Sequence, residues 1–172
     1  FFLFNLRDLF CHKKKQQPLS LAACTPISKE KKSFVIILSS FNNAKECEKS
    51  LRSVLEQRYP HFRLIYIDDA SADETFEKIK MLIHSSAIEE RTTLVHNETH
   101  CGVAVSYYQA IQLCRDEEIA VLLDQGGWMA HPEVLDWLNS CYGDPDVWMT
   151  YGGFREAPSY KHSKKSARIF RS

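Results

Sequence analysis

Asp68, Asp69 and Asp124 are the acids best placed to do chemistry, because they close the apolar runs FRLIYI and IAVLL. A third polar group, Ser39-Ser40-Phe41-Asn42, closes the run that opens at Phe34. A carboxylate is a strong hydrogen-bond acceptor, and its oxygens suit hard divalent cations such as Mg2+ or Mn2+. The Phe41 ring offers either a stacking face or one more core aromatic. Ser39 could meet a ligand or satisfy the turn that follows a strand. His96 and His131 fall near predicted strand ends as well. Each is a lone imidazole, so metal or phosphate contact is the minority reading beside simple packing.

The elements that must position these residues follow from hydropathy patterning. FVIILSS (34–40), FRLIYIDD (62–69) and IAVLLD (119–124) read as strands buried on both faces. TTLVHN (92–97) and VWMTYGG (147–153) read as two more. Between them, Cys47, Leu51, Val54 and Leu55 recur at helical spacing, which predicts a helix over 44–57. Further helices are expected over 74–86, 103–115 and from Pro132 to Cys141, with Ser71 and Asp73 capping the first of these. Strand and helix alternate, so the fold class is α/β, a mostly parallel sheet covered by helices on both sides. In such sheets ligands bind beyond the carboxyl ends of the strands, and the three polar groups all sit there.

The chain has 172 residues, 44% of them hydrophobic, which suits one core. No apolar run reaches the ~18 residues of a membrane-spanning helix. The first residue is Phe, which is expected of a fragment or a processed product. Residues 1–33 hold seven Lys/Arg against Asp8 and Glu30, and residues 155–172 hold six against Glu156. Both ends are therefore basic around an acidic body, because the net charge is zero. Such ends are either solvated or in peripheral contact with an anionic membrane face. No nucleic-acid motif accompanies them. Six cysteines occur without a CxxC pair, which reads as free thiols in a reducing, cytoplasmic compartment. The expected organisation is an irregular lead-in over 1–32, one domain over 33–154, and a basic tail or the start of a further region over 155–172.

Three linked motifs resemble the opening of glycosyltransferase family 2. They are Ser39-Ser40-Phe41-Asn42, Ser53-Val54-Leu55-Glu56-Gln57-Arg58-Tyr59-Pro60, and Asp68-Asp69-Ala70-Ser71-Ala72-Asp73. The likeness extends more weakly through Asn97, Gly102-Val103-Ala104 and Leu123-Asp124…Trp128. It implies a GT-A fold, a Rossmann-like three-layer α/β/α sandwich. It also implies transfer of a sugar, with inversion, from a nucleotide diphosphate donor (uridine-linked) to a glycan, lipid or protein acceptor. By the same resemblance Phe41 stacks on the base, Asp69 accepts the base N–H, and Ser39 and Asp68 belong to the nucleotide site. Asp124 would hold Mg2+ or Mn2+ against the diphosphate.

Some residues depart from the family pattern. After Asp124 the metal motif continues Gln125-Gly126-Gly127, where acids are usual. Tyr107-Tyr108 replace an Arg-Asn pair, Ser39 replaces a proline, and Ala70 replaces a glycine. The rival expectation is a non-catalytic or fragmentary relative that acts as a binding or scaffolding domain. Glu156, the one acid beyond Tyr151, reads as surface charge rather than as a general base. No GxGxxG follows the first strand and no GxxxxGK[ST] occurs, which argues against other nucleotide-binding chemistries.

Overall fold

The computed structural model describes residues 30–151 and the strand segments 2–5, 17–18, 155–156, 161–162 and 168–171. Its central strands are β3 (Phe34–Ser40), β4 (Phe62–Asp68), β5 (Thr92–His96) and β6 (Ile119–Leu123). They lie in the order β6-β3-β4-β5, and every pair among them is parallel. Connecting them are α1 (Cys47–Leu55), α2 (Thr75–His84) with a 3-10 turn at Glu89–Arg91, and α3 (Val103–Gln112). After β6 come α4 (Val134–Cys141) and β7 (Val147–Tyr151). Each helix is shorter than its periodic pattern. The segment 131–133 is a turn docked on the end of α1: Arg58 N donates to the Pro132 carbonyl at 2.9 Å and Gln57 Nε2 to the His131 carbonyl at 2.8 Å.

Alternation along the strands divides the core in two. Ile36, Leu38, Leu64, Tyr66, Val121 and Leu123 pack with Leu51 and Val54 of α1, Ile79 and Ile83 of α2, and Leu135 of α4. Val35, Ile37, Ile65, Ile67, Ala120 and Leu122 face the other way, onto Ala110, Tyr107 and Ile111 of α3. Successive strand side chains point to opposite faces, so both faces must be apolar when both are covered. This gives the expected three-layer α/β/α sandwich. At the opposite end of the sheet from the polar groups, Glu118 is buried against Arg63, with Nε–Oε1 2.7 Å and Nη2–Oε2 2.8 Å.

The ends of the chain add strands that the sequence patterning did not reveal. Within the stretch expected to be irregular, β1 (Phe2–Asn5) lies antiparallel between β6 and β7, and β2 is a two-residue strand, Gln17–Pro18. Toward the other end β8 (Arg155–Glu156) pairs with β9 (Lys161–His162), and β10 (Arg168–Arg171) joins β7 to β2. The full sheet is β2-β10-β7-β1-β6-β3-β4-β5, antiparallel on one side and parallel on the other. Segments this short carry no readable period, and their partners are remote in sequence.

The loops that leave β3 and β4 are laced together. Asn42 N donates to Ser71 Oγ at 2.9 Å, and Ala72 N donates back to Asn42 Oδ1 at 2.8 Å. Asn43 N donates to Thr75 Oγ1 at 2.8 Å and Ala44 N to Asp73 Oδ2 at 3.1 Å. Asp73 also accepts the Thr75 N–H at 3.0 Å, but the residue at the cap of α2 is Glu74, whose side chain makes no capping bond, so the expected cap at Asp73 lies one residue earlier and braces the loop instead. Ser71, four residues ahead of the helix, instead joins Asn42 to Asp68. Ala70 sits at φ 60, the left-handed conformation a glycine adopts without a Cβ penalty. Ala70→Gly should therefore raise stability by about 0.5–1 kcal/mol, once the added freedom of the unfolded chain is set against the relieved strain. Urea denaturation checks this; an unchanged or lower midpoint would show that the loop carries no strain at Ala70.

Candidate functional site

Asp69 follows β4 and is almost wholly buried, at 1% exposure. An isolated buried carboxylate would be costly, so its oxygens must be matched by donors. Asn97 Nδ2 donates to Oδ1 at 2.8 Å and Cys101 N to the same oxygen at 3.0 Å. Gly102 N donates to Oδ2 at 2.7 Å, and His100 Nδ1 lies 2.9 Å from that oxygen. Burial pushes the carboxyl pKa up, but these hydrogen bonds and the nearby His100 outweigh it, and the net shift is downward. The loop 97–102 is thus wound around a single anion, and Gly102, at φ 88, turns the chain into α3.

Phe41, half-buried at the end of β3, is stacked on the His100 ring with centroids 3.8 Å apart and planes 26° from parallel. It is not a core aromatic. Phe41, His100 and Asp69 form one contact series: ring on ring, and ring nitrogen to carboxylate. Asp124 lies one strand over, exposed just past β6. Its Oδ1 accepts the Tyr107 hydroxyl at 3.0 Å, and Gln125 Nε2 donates to the Phe41 carbonyl at 2.6 Å. The three residues therefore stand at the carboxyl ends of neighbouring parallel strands, with Gln125 fastening the Asp124 segment to the Phe41 loop. Burial and the adjacent Asp124 raise the Tyr107 phenol above its ordinary range, which keeps it a neutral donor. Its neighbour Tyr108 is exposed.

Ser39 is buried within β3 itself, ahead of the turn. Asp68 is fully buried and accepts from Ser71 N (2.9 Å), Ser71 Oγ (2.6 Å) and Ser40 Oγ (3.3 Å), a loop-bracing pattern; His96 Nδ1 is 2.9 Å away. His96 also rests on the Phe76 ring, and His131 stacks on Trp137. Both histidines are thus occupied in packing. Sequence reasoning did not single out His100, Gln125, or Lys49, whose Nζ lies 3.3 Å above the Trp128 ring. No local pattern marks them, because loop paths bring them into place.

For a divalent cation the fit is partial. Among the described residues no group of three His, Cys, Asp or Glu side chains converges. Asp124 alone suits an ion held mainly by waters and phosphate oxygens, not an all-protein cage. The two glycines that follow it have their own structural reason. Gly127 N closes a turn onto the Asp124 carbonyl at 2.8 Å, with Gly126 at φ 72. A Cβ at Gly126 would meet open space, whereas one at Gly127 would lie 2.9 Å from the Asp124 carbonyl oxygen.

The depressed Asp69 pKa has a definite sign in stability. A carboxyl lowered by folding stabilises the native state above its unfolded pKa of about 3.9, and that contribution is lost as pH falls through the folded value. Asp69→Asn should cost about 2–3 kcal/mol near neutrality, because it weakens charge-assisted bonds and sets an amide N–H2 among donors. The gap to the wild type should narrow below about pH 4. Urea denaturation at stepped pH measures it; a gap independent of pH would contradict the assignment.

Comparison with known proteins agrees with this architecture. The family model described as Glycosyl transferase family 2 matches residues 35–162. TuaG of Bacillus subtilis (strain 168), named for glycosyl transfer in teichuronic acid biosynthesis, is 31% identical over 93 residues, covering 54% of this chain and 36% of TuaG. A Pyrobaculum calidifontis mannosyltransferase, PcManGT, solved with GDP-Man and Mn2+, superposes with a TM-score of 0.62 at 20% identity, over 74% of this chain and 37% of its own. S. aureus TarS 1-349 with UDP-GlcNAc gives 0.59 at 19% identity, over 67% and 32%. The matched part of the chain thus spans 32–37% of each of these relatives. The structural likenesses establish the GT-A type of α/β fold, and the family match over most of the described domain establishes the lineage: the chain belongs to glycosyl transferase family 2.

Proposed function

We propose that this chain carries the donor-binding part of a glycosyltransferase, which takes a nucleotide diphosphate sugar and transfers the sugar to an acceptor with inversion. The observation that carries the reading is the meeting of the Phe41 face and the Asp69 carboxylate at one spot, the place where the His100 ring touches both. A planar base there gains a stacking partner and an acceptor for a ring N–H. The ligands of TarS and PcManGT, UDP-GlcNAc and GDP-Man, support a nucleotide sugar as the ligand class. Uridine diphosphate is the preferred carrier in this proposal. Ser39 and Asp68 belong to the same strand ends, Asp68 as the brace of the loop.

Asp124 would hold a Mg2+ or Mn2+ ion, which would neutralise the departing diphosphate. The Mn2+ bound by PcManGT supports the choice of cation. Tyr107 holds the Asp124 carboxylate in place by its hydroxyl. The acceptor and the general base lie outside this reading, since the match covers only 36–37% of these relatives' length. The proposed setting is cytoplasmic, with basic ends near an anionic membrane face. Cys47, Cys101 and Cys114 are in no disulfide, which supports a reducing compartment. A second reading, a non-catalytic domain that keeps the nucleotide site, is favoured by Gly126-Gly127 alone.

Calorimetric titration with uridine diphosphate, with and without Mn2+, tests the first reading. Binding should strengthen with Mn2+, Phe41→Ala should weaken it roughly tenfold through lost stacking of about 1–1.5 kcal/mol, and Asp124→Ala should erase the Mn2+ dependence. Failure to bind any nucleoside diphosphate would remove the donor site. Gly126→Asp places a second carboxylate in open space at a left-handed position that Asp tolerates better than most residues. It should increase the Mn2+ dependence, and an identical titration would count against a cation at Asp124. Nucleotide binding without sugar transfer or hydrolysis would favour the second reading.

A further inference from the structure

We infer that His100 is a built-in placeholder for the nucleobase: its ring covers both the stacking face of Phe41 and the open side of the Asp69 carboxylate, and it swings out when the donor binds. This inference rests on the donor site proposed above and goes beyond it by adding a residue that controls entry and base choice.

The geometry argues for displacement rather than for a sandwich. At a centroid separation of 3.8 Å, the two rings are already in contact, so no further ring fits between them. The Asp69 oxygens are also fully claimed. Asn97 and Cys101 donate to Oδ1 and Gly102 to Oδ2, while His100 Nδ1, 2.9 Å from Oδ2 as an ion-pair contact, covers the remaining side of the carboxylate. The same nitrogen lies 3.3 Å from the Asp69 carbonyl oxygen. Three of the four donors cannot leave cheaply: two are backbone N–H groups that shape the loop, and Asn97 is buried. His100 is the exception. Its side chain is half exposed, at 50%, so rotation about χ1 carries it into water without breaking the core.

The exchange is nearly balanced, because the base regains what His100 gives up, one ring stack and one N–H to Asp69. That balance confers selectivity. Uracil and guanine carry a ring N–H on the edge that would face Asp69 and replace both interactions. A base with no ring N–H on that edge displaces His100 less well. The closed ring also imposes a population cost on binding, since apparent affinity falls by the fraction of molecules that are open.

The test is calorimetric titration of uridine diphosphate into the full chain and its His100→Ala variant, paired with proton NMR of the wild-type histidine rings. Removal of the placeholder should tighten binding about five- to tenfold, the gain expected if roughly 80–90% of molecules are closed. The wild-type His100 ring signals, shifted by the Phe41 ring, should move toward solvent-exposed values at nucleotide saturation. If the wild type binds while the variant binds equally or more weakly, or the His100 signals stay in place at saturation, the placeholder is overturned and the donor site stands. If neither protein binds any nucleoside diphosphate, the donor site falls and the placeholder with it.

Discussion

A single buried carboxylate organises the functional end of this molecule. Asp69 carries its charge at 1% exposure and is tolerated there only because donors from the 97–102 loop converge on it. Those bonds fix the loop against the end of β4 and set Gly102 at the start of α3. The start of α3 in turn directs Tyr107 toward Asp124. The acid after β6 and the aromatic after β3 are therefore each in contact with elements that this anion fixes, Tyr107 of α3 and His100 of the loop.

The same arrangement couples folding to recognition. An acceptor used for structure is not free for a ligand unless one of its donors can depart, and only the His100 side chain has that freedom. Asp68, next in sequence, is held by Ser71 of the following loop and Ser40 at the end of β3, and its own half-exposed histidine, His96, rests on Phe76 instead of Phe41. Each of the two adjacent aspartates thus combines loop donors with one half-exposed histidine, and only at Asp69 does that histidine cover the Phe41 face. Their side chains diverge because neighbouring residues at the end of a strand point to opposite sides.

The parallel half of the sheet was legible in the sequence because burial on both faces leaves continuous apolar runs, and β3 matches its run residue for residue. Once those strands were placed, the rule that ligands gather at their carboxyl ends brought Phe41, Asp69 and Asp124 to one edge. Helix ends were less legible, since periodicity continues into turns such as 131–133 that dock rather than coil. The strand β1 could not be read: four residues have no period, and the pairing of Phe2 with Leu122 spans most of the chain. His100 escaped for another reason. Its location depends on how backbone N–H groups of a loop wrap an acid thirty residues earlier, information that no short motif contains.

The turn after β6 has one more implication. Its two glycines are not interchangeable as sites for a side chain. At Gly126 a side chain has room and meets only a torsional penalty, whereas at Gly127 the first carbon of any side chain would collide with the backbone two bonds from Asp124's own ligand arm. A side chain at Gly127 would require this bend to shift, and the Gln125 tether to the Phe41 loop belongs to the same bend. This corner therefore tolerates a side chain at its first glycine and excludes one at its second without a shift of the backbone.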